Sequence, residues 1–250
     1  MVKGFYNLTS GMASQQHRLN VVANNMTNIS TAGFKAEHYT DRTFDEVMVS
    51  RIGNTIKSPY QTMETYQSHI LAPDHLYTDF TQGSFEETNL PLDFAIQGEG
   101  FFAIQTVDGV AYTRAGSFTL DNEGYLCLSE FGRVLDNEGN PIQLGTDQIR
   151  GDKNGDIYSS GGTYLATLGV YAFENNDDLE RSPLGLFVGD GAQINPDAQI
   201  LHKWTERSNV SMIQEMVNMI TSQRALQSAA TMTKIYDQVI TRATSDLGRL

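Results

Sequence analysis

Apolar side chains recur along the first thirty residues in steps of four and three: Met1, Phe5, Leu8, Met12, Leu19, Val22, Met26 and Ile29, interrupted only at Gln15. Positions three and four apart share one face of a helix, so this spacing predicts an amphipathic N-terminal helix with a heptad-like seam. Gly4 and Gly11 lie inside it, each costing roughly 1 kcal/mol relative to alanine. Gly33 offers the left-handed conformation that commonly ends a helix, which places the exit near Ser30 to Gly33. Three asparagines, Asn24, Asn25 and Asn28, crowd that end. Asparagine competes with helical hydrogen bonding, so the cluster reads either as end-capping or as a set of contacts to the exit turn or to a neighbouring molecule.

The other end of the chain is patterned in the same way. After Ser211 and Gln214, in capping-box spacing, Met212, Met216, Met219, Leu226, Ala230, Ile240 and Leu247 form one stripe, widened early by Ile213, Val217 and Ile220. No proline or glycine interrupts this run before Gly248, so a helix of about ten turns is expected. Its seam drifts, and Gln223, Thr233 and Asp237 fall on it. Burial of either seam alone does not offset the entropy of ordering so long a segment, so each terminal helix needs a partner. The candidates are the other terminus and the termini of neighbouring copies.

Between the helices the period changes to two. Residues 83 to 200 carry short runs such as "FFAIQ", "AYTRAGSFTL", "GYLCL" and "ATLGVYAF", separated by Gly, Asn and Asp turns, the pattern of antiparallel strands. "LDNEG" stands at 120 to 124 and again at 135 to 139, which predicts consecutive hairpins. Residues 36 to 82 are polar and read as an extended connection. The expected organisation is α+β: an N-terminal helix in 1 to 35, a connecting segment 36 to 82, a central antiparallel β domain 83 to 203, and a C-terminal helix in 204 to 250.

Charge is distributed unevenly over these parts. Residues 1 to 35 hold Lys3, Arg18 and Lys35 and no acid, and residues 204 to 250 hold five basic and four acidic residues; with -13 for the chain, the middle carries -17. Such a surface repels nucleic acid. No apolar run approaches the length of a membrane span, and "MVKGFYNLTSGMASQQH" lacks the apolar core of a cleaved secretory signal. Membrane insertion is therefore not expected, and any export uses another route. Cys127, the single cysteine, reads as a small strand residue.

Candidate chemistry is thin. "DKNGD", Asp152 to Asp156, opens like a calcium loop, but Ile157 stands where that loop needs glycine and Thr163 where it needs glutamate, so a hairpin turn is expected. None of His17, His38, His69, His75 and His202 has metal-ligand spacing to a carboxylate on a helix. "GEG" at 98 to 100 precedes strand text, which denies it a helix N-terminus for phosphate, and "RAGSF" lacks the frame of a nucleophile elbow. No catalytic residue, metal site or cofactor is expected.

Four blocks, "ANNMTNISTAGFK", "TQGSFEETNLPLDFAIQGEGFFAI", "AYTRAGSFTLDNEGYL" and "SNVSMIQEMVNMITSQRALQSAATMTKIYDQVI", resemble in order the signature blocks of bacterial flagellar rod and hook proteins. The resemblance implies that the two terminal helices pair as a helical hairpin or coiled coil lining a tube, with the β middle projecting outward. It implies polymerisation into a hollow axle with copies of itself and adjoining rod or hook proteins. It also implies delivery by the flagellar export apparatus, without a cleaved signal, to the basal body outside the cytoplasmic membrane. The compact length and short 36 to 82 segment look more like a proximal-rod than a distal-rod or hook subunit. Phe5, Leu8, Met12, Leu19, Val22, Asn24, Asn25, Met26, Asn28, Gly33 and Phe34, with the C-terminal stripe, are then the expected assembly interface. A charge at Leu19 or Val22 should block assembly, whereas Lys35→Asp, beyond the seam, or a change at Asp177 should be mild. The rival reading is a β-rich binding module that dimerises through its terminal helices.

Overall fold

In the computed structural model, the described residues are 2–43, 47–49, 65–67, 71–129, 131–196 and 198–247. Helix α1 spans Val2–Thr27 and helix α2 spans Met212–Leu247, with β-structure between them, so the chain is α+β. Backbone contacts group the chain into two units. One holds residues 1–25, 37–77 and 212–250, and the other holds residues 26–36 and 78–211.

The first unit contains both long helices and two small strand pairs, Glu37–Thr43 with Leu71–Thr78 and Val47–Val49 with Thr65–Gln67. Within 36 to 82, read from the sequence as an extended connection, the backbone is thus paired as strands at these places, while 44–46, 50–64 and 68–70 lie outside the described residues.

The second unit is built on the strand Phe101–Thr106, which pairs antiparallel with Gly109–Thr113 on one edge. Its other edge is shared by Val170–Ala172 and Gly132–Val134. Successive strand residues point to opposite faces, and here both faces are covered. Phe102 and Ile104 join Phe94, Leu126, Ile142, Ile157 and Ile200 in the larger core. Phe101 and Ala103 join Tyr112, Leu179 and Phe187 in the smaller one. That double burial explains the continuous apolar run "FFAI". A three-stranded sheet, Ile149–Gly151, Asp156–Ser159 and Tyr164–Thr167, contributes Ile149 and Ile157 to the larger core.

The hairpins use one turn repeatedly. In "LDNEG" the N–H of Asp121 donates to Tyr125 O and that of Gly124 to Asp121 O, and the second copy repeats both bonds at Asp136 and Gly139. "DKNGD" closes in the same way through Asp152 and Gly155, as do the turns at Ser159 and Ser182, five in all among the described residues. The five turn glycines share φ between 80° and 88°, the left-handed position that completes a three-residue hairpin loop. Asp152–Asp156 is therefore a hairpin turn.

Gly33 does not end α1, which stops six residues earlier at Thr27. Its φ of 70° and the absence of a Cβ instead let the chain press against the Arg114–Ala115 backbone, where any side chain would collide.

Candidate functional site

Helix α2 is amphipathic in the reverse sense. Its inward side carries Glu215, 4% exposed, and Ser222, 2% exposed. On the other side Met212, Ile213, Met216, Val217 and Ile220 are exposed, Ile213 to 78%. Further along, Met232, Ile235, Val239 and Ile240 are exposed as well. At about 100° per residue the second patch is turned roughly a third of the way round the helix from the first. Large contiguous apolar patches on a soluble surface mark interaction sites. Covering the first five side chains would yield about 4 to 8 kcal/mol, taking half of the usual value for complete burial. Met219, Leu226 and Ala230 are half-buried, and the side chain of Leu247 lies outside the described residues.

On α1 the fully buried side and the predicted seam differ. Ser14, Val22 and Asn25 are buried. Ser14 Oγ donates to Asp41 Oδ1 at 2.6 Å, and Arg18 pairs with Asp41 Oδ2 at 3.0 Å. The seam residues Leu8, Met12, Leu19 and Met26 are only partly covered, and Phe5 is exposed. Thr233 Oγ1 on α2 lies 4.0 Å from the Met12 sulfur.

The asparagines act within the chain. Asn25 Nδ2 donates to Glu37 O at 2.8 Å and its Oδ1 accepts from Glu37 N at 3.0 Å, so one side chain satisfies both backbone groups of the strand's first residue. Asn24 reaches Glu37 Oε2 at 3.3 Å, and Asn28 O accepts from Thr31 N at 3.1 Å to shape the exit turn. Phe34 is buried with Ala36, Val210 and Ile29, and the Arg181 guanidinium lies 4.3 Å above its ring.

Sequence reasoning missed a buried ionic cluster. Lys35 Nζ meets Glu206 Oε1 at 2.7 Å, and Arg114 Nη1 meets Glu206 Oε2 at 3.3 Å. All three side chains are at most 5% exposed. Glu206 Oε1 also accepts from Gly83 N at 2.8 Å, Glu206 O from Gly33 N at 2.7 Å, and Lys35 Nζ donates to Thr81 O at 2.8 Å. Three chain passages, 33–36, 81–83 and 206–209, are thereby tied at one place. Burial pushes the Lys35 ammonium below the ordinary lysine range against the opposing charge of Glu206, and burial acts on Arg114 in the same direction. Lys35 is therefore no mild position: Lys35→Asp would bury a second carboxylate against Glu206. The available signal was Arg114 closing the strand text "VAYT" and Glu206 closing "WTE", charges at strand ends that have no partner nearby in sequence.

Among the described residues no group of three or more His, Cys, Asp or Glu side chains is arranged to hold a metal ion. An antiparallel β unit flanked in sequence by two long helices, of which α2 turns apolar side chains to solvent, is the make-up of an assembly subunit. The comparisons with known proteins specify which kind. Residues 5–35 match the family described as flagella basal body rod protein, 95–205 the flagellar hook protein FlgE/F/G D1 domain, and 203–246 the flagellar basal body rod FlgEFG protein C-terminal. The chain is 31% identical over 255 residues to flagellar basal-body rod protein FlgF of Rhizobium meliloti, covering 99% of both. It is 29% identical over 259 residues to flagellar basal-body rod protein FlgG of Bacillus subtilis, covering 96% of this chain and 97% of that one. It is 27% identical over 275 residues to flagellar hook-basal body complex protein FlhO of the same organism, covering 100% of both. The chain belongs to the flagellar basal-body rod protein family, which is structural and not enzymatic.

Proposed function

We propose that this chain is a subunit of the flagellar basal-body rod that polymerises with copies of itself and with adjoining rod or hook proteins into a hollow shaft. Its terminal helices pair within and between subunits, so torque applied at the base passes along interlocked helices. The observation that carries this reading is the exposed apolar patch Met212, Ile213, Met216, Val217 and Ile220 on a helix whose opposite side buries polar groups. Export by the flagellar apparatus without a cleaved signal, and a position outside the cytoplasmic membrane, follow from that role. Relatives named FlgF and FlgG match at 31% and 29% identity and do not separate the two kinds of rod subunit. The compact length and short 36 to 82 segment favour the proximal rod.

The test uses exposed positions. Val22 is buried against its own chain, so Val22→Asp would report on folding. Ile213 and Val217 are 78% and 50% exposed, and a carboxylate there leaves the subunit intact while placing an unpaired charge in any assembled contact. Ile213→Asp and Val217→Asp should abolish polymer in sedimentation and motility in cells, with the thermal transition of the β unit unchanged. Normal assembly of both variants would remove the helix patch from the interface and overturn the proposal.

A further inference from the structure

Beside the larger core, an open cavity of about 590 Å³ is walled by Arg150, Asp152, Lys153, His202, Lys203 and Trp204. Arg150, Lys153 and Lys203 are exposed, and among the described residues none has a carboxylate within ion-pair distance. Arg133, by contrast, engages Asp121 and Glu123, and Arg207 engages Glu86. Three unpaired cations around one cavity are out of character for a middle region that carries -17. Their field is felt locally: burial first, then the charges of Lys203 and Arg150, hold the His202 ring below its ordinary pKa. Trp204 adds an apolar wall to the charged rim.

The chain also carries a complementary projection. In Glu174–Glu180 the side chains of Glu174, Asp177, Asp178 and Glu180 are exposed, and none has an ion-pair partner among the described residues. The segment is held in shape from within: Asn175 caps the 3-10 turn Asn176–Asp178 by accepting from Asp177 N, and Leu179 is buried in the smaller core.

We propose that the cavity rimmed by Arg150, Lys153 and Lys203 is the socket for the acidic loop Glu174–Glu180 of a second copy of the chain. The topology forbids the contact within one molecule. Ile149 and Ile200, at the cavity, pack with Phe102 and Ile104 on one face of the central strand, whereas Leu179, in the loop, packs with Phe101 and Ala103 on the other. A plug and socket on opposite faces make a head-to-tail contact, which propagates from copy to copy and does not close as a dimer. This inference deepens the rod reading and rests on it: the helix patch holds the polymer together, and the ionic contact fixes how neighbouring β units register. Exposed pairs of this kind contribute little individually and are screened by salt, which suits registration more than cohesion.

The experiment is a charge swap in the full-length chain. A socket variant, Arg150→Glu with Lys153→Glu and Lys203→Glu, and a plug variant, Glu174→Lys with Asp177→Lys and Asp178→Lys, each alter only exposed side chains. Each alone should raise the protein concentration needed for polymer about tenfold at 50 mM salt, an effect that shrinks to about twofold or less at 500 mM. An equimolar mixture should recover wild-type polymerisation, because each variant's socket then meets a plug of opposite sign. Wild-type behaviour of the single variants overturns the proposal. So does failure of the mixture to recover. Binding of a hexaglutamate peptide to the wild-type cavity with polymerisation unaffected by either variant would assign the site to another anion and would equally overturn it. In each of these cases loss of polymer in Ile213→Asp still supports the rod reading, so the two proposals fail separately.

Discussion

Glu206 is the single anion between two buried cations, which ranks substitutions around it unequally. Glu206→Gln leaves Lys35 and Arg114 charged, buried and mutually repelling, and removing one partner of a buried pair costs about 3 to 5 kcal/mol. Lys35→Met leaves the Arg114–Glu206 pair in place and should cost less than half as much. Urea denaturation of the β unit checks this order, and the reverse order would mean that Arg114 does not hold Glu206. His202 carries the pH dependence. Its Nδ1 accepts from Gly151 N at 3.2 Å, so Nε2 holds the proton and donates to Pro91 O at 2.8 Å. A second proton on Nδ1 would set two donors against each other. Because its folded pKa lies below the unfolded value of 6.5, the unfolded chain binds the proton first as pH falls. Stability contributed by the neutral ring is complete above pH 6.5 and declines below it. The melting temperature should fall between pH 7.5 and 5.5, and His202→Gln, which keeps an acceptor and a donor but does not titrate, should flatten that fall. An unchanged slope in the variant would exclude His202 as its source.

The elements with a strong local period were legible: both helices, the strand run "FFAIQ", and the repeated "LDNEG" hairpins, whose aspartate and glycine positions themselves dictate the turn. What each helix does with its faces was less so. A hydrophobic stripe shows that an apolar side exists and not which side the chain covers, and here α2 buries Glu215 and Ser222 while α1 buries Ser14 and Asn25. Met232, Ile235 and Val239 lie off the stripe that runs from Met212 to Leu247, because the exposed apolar patch rotates along the helix. The Lys35–Glu206 pair spans 171 residues, beyond the reach of any period or spacing rule. The same holds for Gly33, whose conformation was foreseen but whose reason, a close approach to Arg114, depends on a distant strand.

At the scale of the whole molecule the two kinds of structure should differ in how they resist opening. Phe101, Phe102, Ala103 and Ile104 are covered on both faces, whereas most of α2 is exposed. In dilute monomer, amides across 212–247 should exchange far faster than those of 101–104, and assembly should slow the helix while leaving the strand unaltered. Equal protection of both in a demonstrated monomer would mean that α2 already has its partner within the chain.

The tie at Glu206 has an architectural consequence. The β chain departs at Ser84, whose carbonyl accepts from Arg207 N at 2.8 Å on the return, and Asn209 Oδ1 accepts from Ala36 N at 2.8 Å close by. Departure and return are thus adjacent, and everything from 84 to 207 is an excursion that ends where it began. A chain built in this way tolerates growth of its loops, because lengthening a closed excursion costs little and displaces neither end. The tip at Val107, fully open to solvent, is one place where such growth meets no neighbour. Heads of different size can therefore be grafted onto this one pair of attachment points without displacing either end.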